Sequence, residues 1–305
     1  MKTNLVRQVL FPLVAAMIWG TAFVAQSVCA PLVPPFAFNA LRSAIAVAFL
    51  LPVSRAFDTA AKRRGDPPPK TDRRALALGG VLCGICLSAA ANLQQAGMSD
   101  ASAGKAGFIT AFYVVLVPVF GLFLRRRAGA QIWAGVAFAV AGLYLLCIKA
   151  GEGFALQTAD IFLVFCAVAF ALQIMVIDHF VQKVDGIRLS IVQFAVTALI
   201  SAGLALAFED VDWNGVWRCA LPILYMGVMS SGVAYTLQIL AQKGSNPAVV
   251  SLLFSLESVF SVLAGAVILG DKLTGREYLG CALMFTAVIL AQIPHRKHLA
   301  SVGKV

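Results

Sequence analysis

Glu257 stands about ten residues inside one long apolar run and Arg42 about six residues inside another. If the runs are helices, a rise of about 1.5 Å per residue sets the carboxyl roughly 15 Å and the guanidinium roughly 9 Å from the nearer end. A charge at such depth in hydrocarbon costs roughly 2.5–3.5 kcal/mol on insertion scales, so each must face an interior. A buried acid can take up and release a proton, which makes Glu257 the candidate for proton coupling. The two depths differ by roughly 6 Å, within reach of a long arginine if the two helices approach, so a Glu257–Arg42 pair that closes in one state and opens in the other would link substrate movement to proton movement. The plainer reading of both is interhelical packing, with Arg42 reaching outward to the headgroups. Trp19 lies roughly 15 Å into its run by the same rise. Tryptophan prefers the membrane interface, and its indole N–H needs a partner, so a midplane copy reads as a cavity wall with Phe23 one turn on. Asn39, Asn92, Tyr113, Gln173 and Tyr235 complete the candidates for a substrate cavity. Lys105, near a run end, reads as a mouth or an anchor.

Other chemistries are not encoded. There is no His-Glu-x-x-His, no Gly-x-x-x-x-Gly-Lys and no Gly-x-Ser-x-Gly, so metalloprotease, nucleotide-hydrolysing and nucleophile-elbow mechanisms lack their residues. Cys83 and Cys86 form a Cys-x-x-Cys without a second ligand pair, and most of the seven cysteines sit in apolar runs as small fillers. No metal, no cofactor and no catalytic residue is expected, and the chain does not read as an enzyme.

The elements that position these residues follow from composition. Of 305 residues 60% are apolar and 12% charged, and the mean hydropathy is +0.88. A soluble domain carries about 25% charge, so neither a water-soluble fold nor disorder fits. Ten apolar stretches, helices one to ten, run over 9–29, 36–54, 75–95, 103–124, 131–148, 159–178, 189–208, 217–240, 247–269 and 276–293. They are too long and too little alternating for strands, which excludes a β-barrel. The first stretch is long for a signal-peptide core, and Pro31 would directly follow the cut after Val28-Cys29-Ala30, so it reads as a spanning helix.

Orientation comes from the basic residues. With the N-terminus in the cytoplasm, 18 of the 24 Lys and Arg fall inside, 5 fall outside and Arg42 lies within a span. That asymmetry predicts cytoplasmic N and C termini. It also accounts for the net charge of +10 as a topology signal facing anionic lipid, so no nucleic-acid partner is expected. Whether the chain is a monomer or a homodimer stays open.

The chain repeats itself. Leu13-Val14 matches Leu163-Val164 at an offset of 150, Leu93-Gln94 matches Leu237-Gln238 at 144, Leu116-x-x-Val119-Phe120 matches Leu256-x-x-Val259-Phe260 at 140, and Gly135 matches Gly280 at 145. Two five-helix halves follow, and five is odd, so the second enters the membrane upside down. Inverted repeats are a transporter architecture with the binding site near the midplane. Gln26, Asn39, Asn92, Gln94 and Gln95 gather at the outer ends of first-half helices. Gln173, Asp178 and Gln238 gather at the inner ends of second-half helices, as matched gates would.

Trp19-Gly20-Thr21-Ala22-Phe23, Asn39-x-x-Arg42, Leu116-Val117-Pro118-Val119-Phe120, Ser255-Leu256-Glu257-Ser258 and Leu269-Gly270-Asp271-Lys272 together resemble the drug/metabolite transporter superfamily, EamA type, over almost the whole chain. Ser258 stands where that family usually has proline, Asp271 where it often has glutamate, and Arg125 to Arg127 where an acidic helix end would be. The resemblance implies an all-α membrane protein of ten helices in two inverted repeats, 9–148 and 159–293, with a cytoplasmic tail at 294–305. It implies a secondary transporter, an exporter of small metabolites such as amino acids or of toxic compounds, multi-pass in the cytoplasmic membrane. Its partners are the bilayer, a small-molecule substrate and protons as the candidate coupling ion. The different-class alternative is a membrane-embedded enzyme acting on lipid.

Overall fold

The computed structural model describes residues 6–65, 71–98, 103–125, 128–148, 157–268 and 273–293. The tail at 294–305 and the Leu269-Gly270-Asp271-Lys272 motif lie outside them. Among the described residues the fold is helical and without strands. Nine helices there are long and apolar enough to span a bilayer. Helix one is Phe11–Cys29, two Pro35–Arg63, three Arg73–Gly97, five Ala130–Cys147, six Thr158–Phe180 and seven Gly186–Phe208. Helix four is split into Ala103–Thr110 and Tyr113–Phe123, and helix nine into Pro247–Phe254 and Glu257–Ile268. Helix eight runs from Ala220 to Gln242 through a π-helical stretch, Met226–Ala234, after a short helix at Trp213–Arg218. Helix ten is Gly275–Gln292. Its ends carry Arg276, Glu277 and Gln292, which keep it out of the nine.

Local chemistry sets the boundaries. Pro35 and Pro247 open helices two and nine, where a missing N–H costs nothing. Asp72, Asp185 and Asn246 cap helices three, seven and nine by accepting from free backbone N–H groups. Thr274 and Glu277 form a reciprocal capping box on helix ten. Helix two extends well past the predicted 54. Asp58 on that extension takes two guanidinium hydrogen bonds from Arg188, at 3.0 and 3.2 Å.

Two pairs of corresponding helices, five with ten and two with seven, lie antiparallel. A Cβ on Gly135 would meet the Ala287 carbonyl at 2.9 Å, and one on Gly142 the Gly280 carbonyl at 2.9 Å. Helix five therefore runs up helix ten as helix ten runs down. At an offset of 145 these two contacts map onto each other. Helix two pairs with helix seven in the same sense: Asp58 meets Arg188, while Phe36 and Ala37 donate to Glu209, both at 2.7 Å.

The halves also interlock. Helix one packs on eight and nine, and helix six on three and four. Gly20 permits the first of these contacts, because a Cβ there would lie 2.7 Å from Ser261 N and 2.8 Å from the Glu257 carbonyl. Two mixed bundles result, one built on helices one, eight and nine, the other on three, four and six. Two bodies made of the sequence halves would be simpler, but the strongest packing crosses between the halves.

Candidate functional site

Helices four and nine are both interrupted at mid-length. In helix four, Val114 N bonds Ala111 O and Phe112 N bonds Ile109 O, a local tightening to three-residue spacing, and Pro118 offers no N–H to the Val114 carbonyl. Helix nine lacks such a proline. There Ser251 and Ser255 hydroxyls donate to the carbonyls three residues back, at 2.9 and 2.8 Å, a back-bonding that bends helices. Ala111 and Ser255 start the two breaks, an offset of 144. The register therefore differs by one helical turn from the 140 of the Leu-x-x-Val-Phe match, and agrees with the 144 of Leu93-Gln94. Interrupted helices at matching positions of two halves mark where a transporter exposes backbone and side chains to its ligand.

Just after those breaks stand Tyr113 and Glu257, the same offset apart. The Tyr113 hydroxyl donates to Glu257 Oε1 at 3.1 Å, and both side chains are buried. They line a central cavity together with Trp19, Phe23, Arg42 and Tyr235. Six of the nine candidates thus share one wall. Its free space is about 40 Å3, room for a few waters only, so any metabolite requires the walls to part.

The wall is aromatic with a few aimed polar atoms. The Trp19 ring meets Tyr235 edge-on at 4.9 Å and Phe254 at 5.3 Å. Tyr113 stands 6.4 Å from Phe170. Arg42 is 3% exposed, its guanidinium 5.8 Å from the Phe38 ring centre. Its Nε and the indole Nε1 of Trp19 have no hydrogen-bond partner among the described residues. No ion pair within 4.0 Å joins Arg42 to Glu257 there. A buried cation and a buried acid facing one space, not neutralising each other, leave that task to what enters.

The other three candidates are engaged between helices. Asn39 Nδ2 donates to Pro35 O, Ala91 O and Asn92 Oδ1. Asn92 Nδ2 donates to Ser88 Oγ and Ser201 Oγ, so both amides tie helix three to its neighbours. Gln173 bonds Gln193 and Gln238; only Gln238 of these reaches the lining. Sequence reasoning passed over Thr110, Phe170, Ser230 and Phe254, which also line the cavity. Phe254 ends the first segment of helix nine, three residues before Glu257 and across the break from it. Ser230 lies in the π-helical stretch, a distortion frequent at functional sites, whose signal is the small-residue run Ser230-Ser231-Gly232. A second cleft of about 370 Å3 lies between Pro118, Gly121, Asn246 and Pro247, but it gathers no charged side chain.

The family model for EamA-like transporters matches residues 7–148 and again 157–292. The chain belongs to the EamA-like transporter family. It is thus a multi-pass membrane protein of the drug/metabolite transporter superfamily, built of two repeats. This EamA-family chain is 28% identical over 279 residues to an uncharacterized transporter of Archaeoglobus fulgidus, covering 91% of this chain and 83% of that one. It is 24% identical over 290 residues to a WAT1-related chloroplastic protein of Arabidopsis thaliana, covering 90% and 67%. A solved crystal structure shares its fold at a TM-score of 0.78 and 21% identity, over 95% of this chain and 98% of that chain.

In this EamA transporter Trp19 offers a direct test of the wall. Trp19→Ala is expected to cut transport at least severalfold while expression and melting temperature change little. Collapse of expression instead would assign Trp19 to packing.

Proposed function

We propose that this protein is a secondary transporter of the cytoplasmic membrane that exports small metabolites by alternating access, with amino acids and related zwitterions the favoured class and toxic compounds the broader one. Ten spans in two inverted repeats, 9–148 and 159–293, keep both termini and the tail at 294–305 inside. The observation that carries the reading is the central cavity, where Arg42, its Nε unpartnered, and Glu257 line one aromatic space. A substrate carboxylate would accept from Arg42 and Trp19, its ammonium would meet Glu257, and its side chain would lie among Phe23, Phe170 and Phe254. Because the halves interlock, the bodies that rock are the two mixed bundles. Glu257 is the proton-coupling residue. A thermal-shift screen of the purified protein tests the substrate class. Amino acids should raise the melting temperature, while cationic drugs and nucleosides leave it unchanged; the reverse pattern contradicts the zwitterion assignment.

A further inference from the structure

Two sets of buried glutamines stand toward opposite ends of helices one and eight, and each set bridges the two mixed bundles. At the outer end of helix one, Gln26 Nε2 donates to Gln94 Oε1 at 3.4 Å and to Gln95 Oε1 at 3.2 Å, both on helix three. Toward the inner end, Gln238 Nε2 on helix eight donates to Gln173 Oε1 on helix six at 3.0 Å. Gln242 Nε2 adds a bond to Ile174 O at 2.8 Å. Gln26, Gln94 and Gln238 border the cavity itself. Gln94 and Gln238 stand 144 residues apart, the offset that relates the breaks in helices four and nine. The inverted repeat thus carries one glutamine of each set to opposite faces.

Glutamine suits this task physically. A neutral amide buried in a membrane protein must be hydrogen-bonded, yet releasing one bond costs far less than separating a buried ion pair. A freed Gln can turn its amide to water once the path opens. With both sets made, the cavity they border holds only a few waters.

We infer that Gln26–Gln94/Gln95 and Gln173–Gln238 are the outer and inner latches of transport, alternately released as the bundles rock. This rests on the alternating-access reading above. The two latches must act oppositely, which no merely structural role requires.

The test uses the full-length protein with its native cysteines replaced and one reporter cysteine at Ser230, a cavity residue. Reactivity toward a membrane-impermeant thiol reagent is measured from each face, in intact cells and in inverted vesicles. Gln26→Leu is expected to raise labelling from the outer face by roughly twofold to tenfold, the worth of one or two buried hydrogen bonds, and to lower it from the inner face. Gln238→Leu should do the reverse. If a leucine variant fails to fold, oxidative cross-linking of Gln26→Cys with Gln94→Cys, on the same background without the reporter, should stop flux and a reductant should restore it. Labelling that moves to the same face in both variants, or in neither, overturns the latches while alternating access stands, provided the parent reacts from both faces. A parent cysteine silent from both faces, in a protein that carries flux, overturns the alternating-access reading and the latches with it.

Discussion

Glu257→Gln is expected to abolish the acceleration of liposome flux by an imposed pH gradient and to leave substrate binding nearly unchanged. The side chain is 7% exposed, sits at the break of helix nine and accepts from the Tyr113 hydroxyl at 3.1 Å. Glutamine has the same length and keeps an oxygen for that bond, so the local fold survives. What it loses is the exchangeable proton. A one-unit gradient stores about 1.4 kcal/mol per proton, enough for about tenfold accumulation at one-to-one exchange. Wild-type export is therefore expected to rise severalfold when the external side is acidified, and the mutant to show equal flux with and without the gradient. Wild-type flux indifferent to the gradient would make the protein a facilitator. A mutant that still responds would move proton coupling to another residue.

Arg42→Ala is expected to weaken binding of a carboxylate-bearing substrate by roughly 10- to 100-fold. A charged hydrogen bond contributes about 1.5–3 kcal/mol, and each 1.4 kcal/mol is about tenfold in affinity. Arg42 is nearly fully buried, lines the cavity and has an unpartnered Nε, so an entering anion would supply the missing partner. Arg42→Lys keeps the charge but loses the fork that grips a carboxylate, and should recover part of the loss. The measurement is isothermal titration or thermal shift with an amino acid and with its decarboxylated amine. Equal losses for both ligands would show that Arg42 supports the fold and does not grip the carboxylate.

Much of this was legible in the chain because bilayer physics is severe. Only helices satisfy the backbone over apolar runs of this length, so the all-helical class follows from composition, while the two repeats follow from the spaced sequence matches. The interlocking of the halves was not legible, because a hydropathy pattern records that a helix is buried and not which helix covers it. The break in helix nine escaped for a related reason: with Ser258 in place of the expected proline, the bend depends on Ser251 and Ser255, whose hydroxyls only bend a helix when they turn inward. Asn39 and Asn92 read as cavity residues because a buried amide looks the same from sequence whether its partner is a ligand or the next helix. Their engagement with Ala91, Ser88 and Ser201 makes them interhelical ties.

The central claim is that an unmodified zwitterion passes through the cavity around Trp19, Arg42 and Glu257. Counterflow in liposomes of the purified protein tests it most directly. Vesicles loaded with an unlabelled amino acid that stabilises the protein should transiently concentrate the labelled compound several-fold, chemically unchanged, and Arg42→Ala vesicles should not. Absence of any overshoot in wild-type vesicles, or recovery of the label in a new chemical form, would contradict the account.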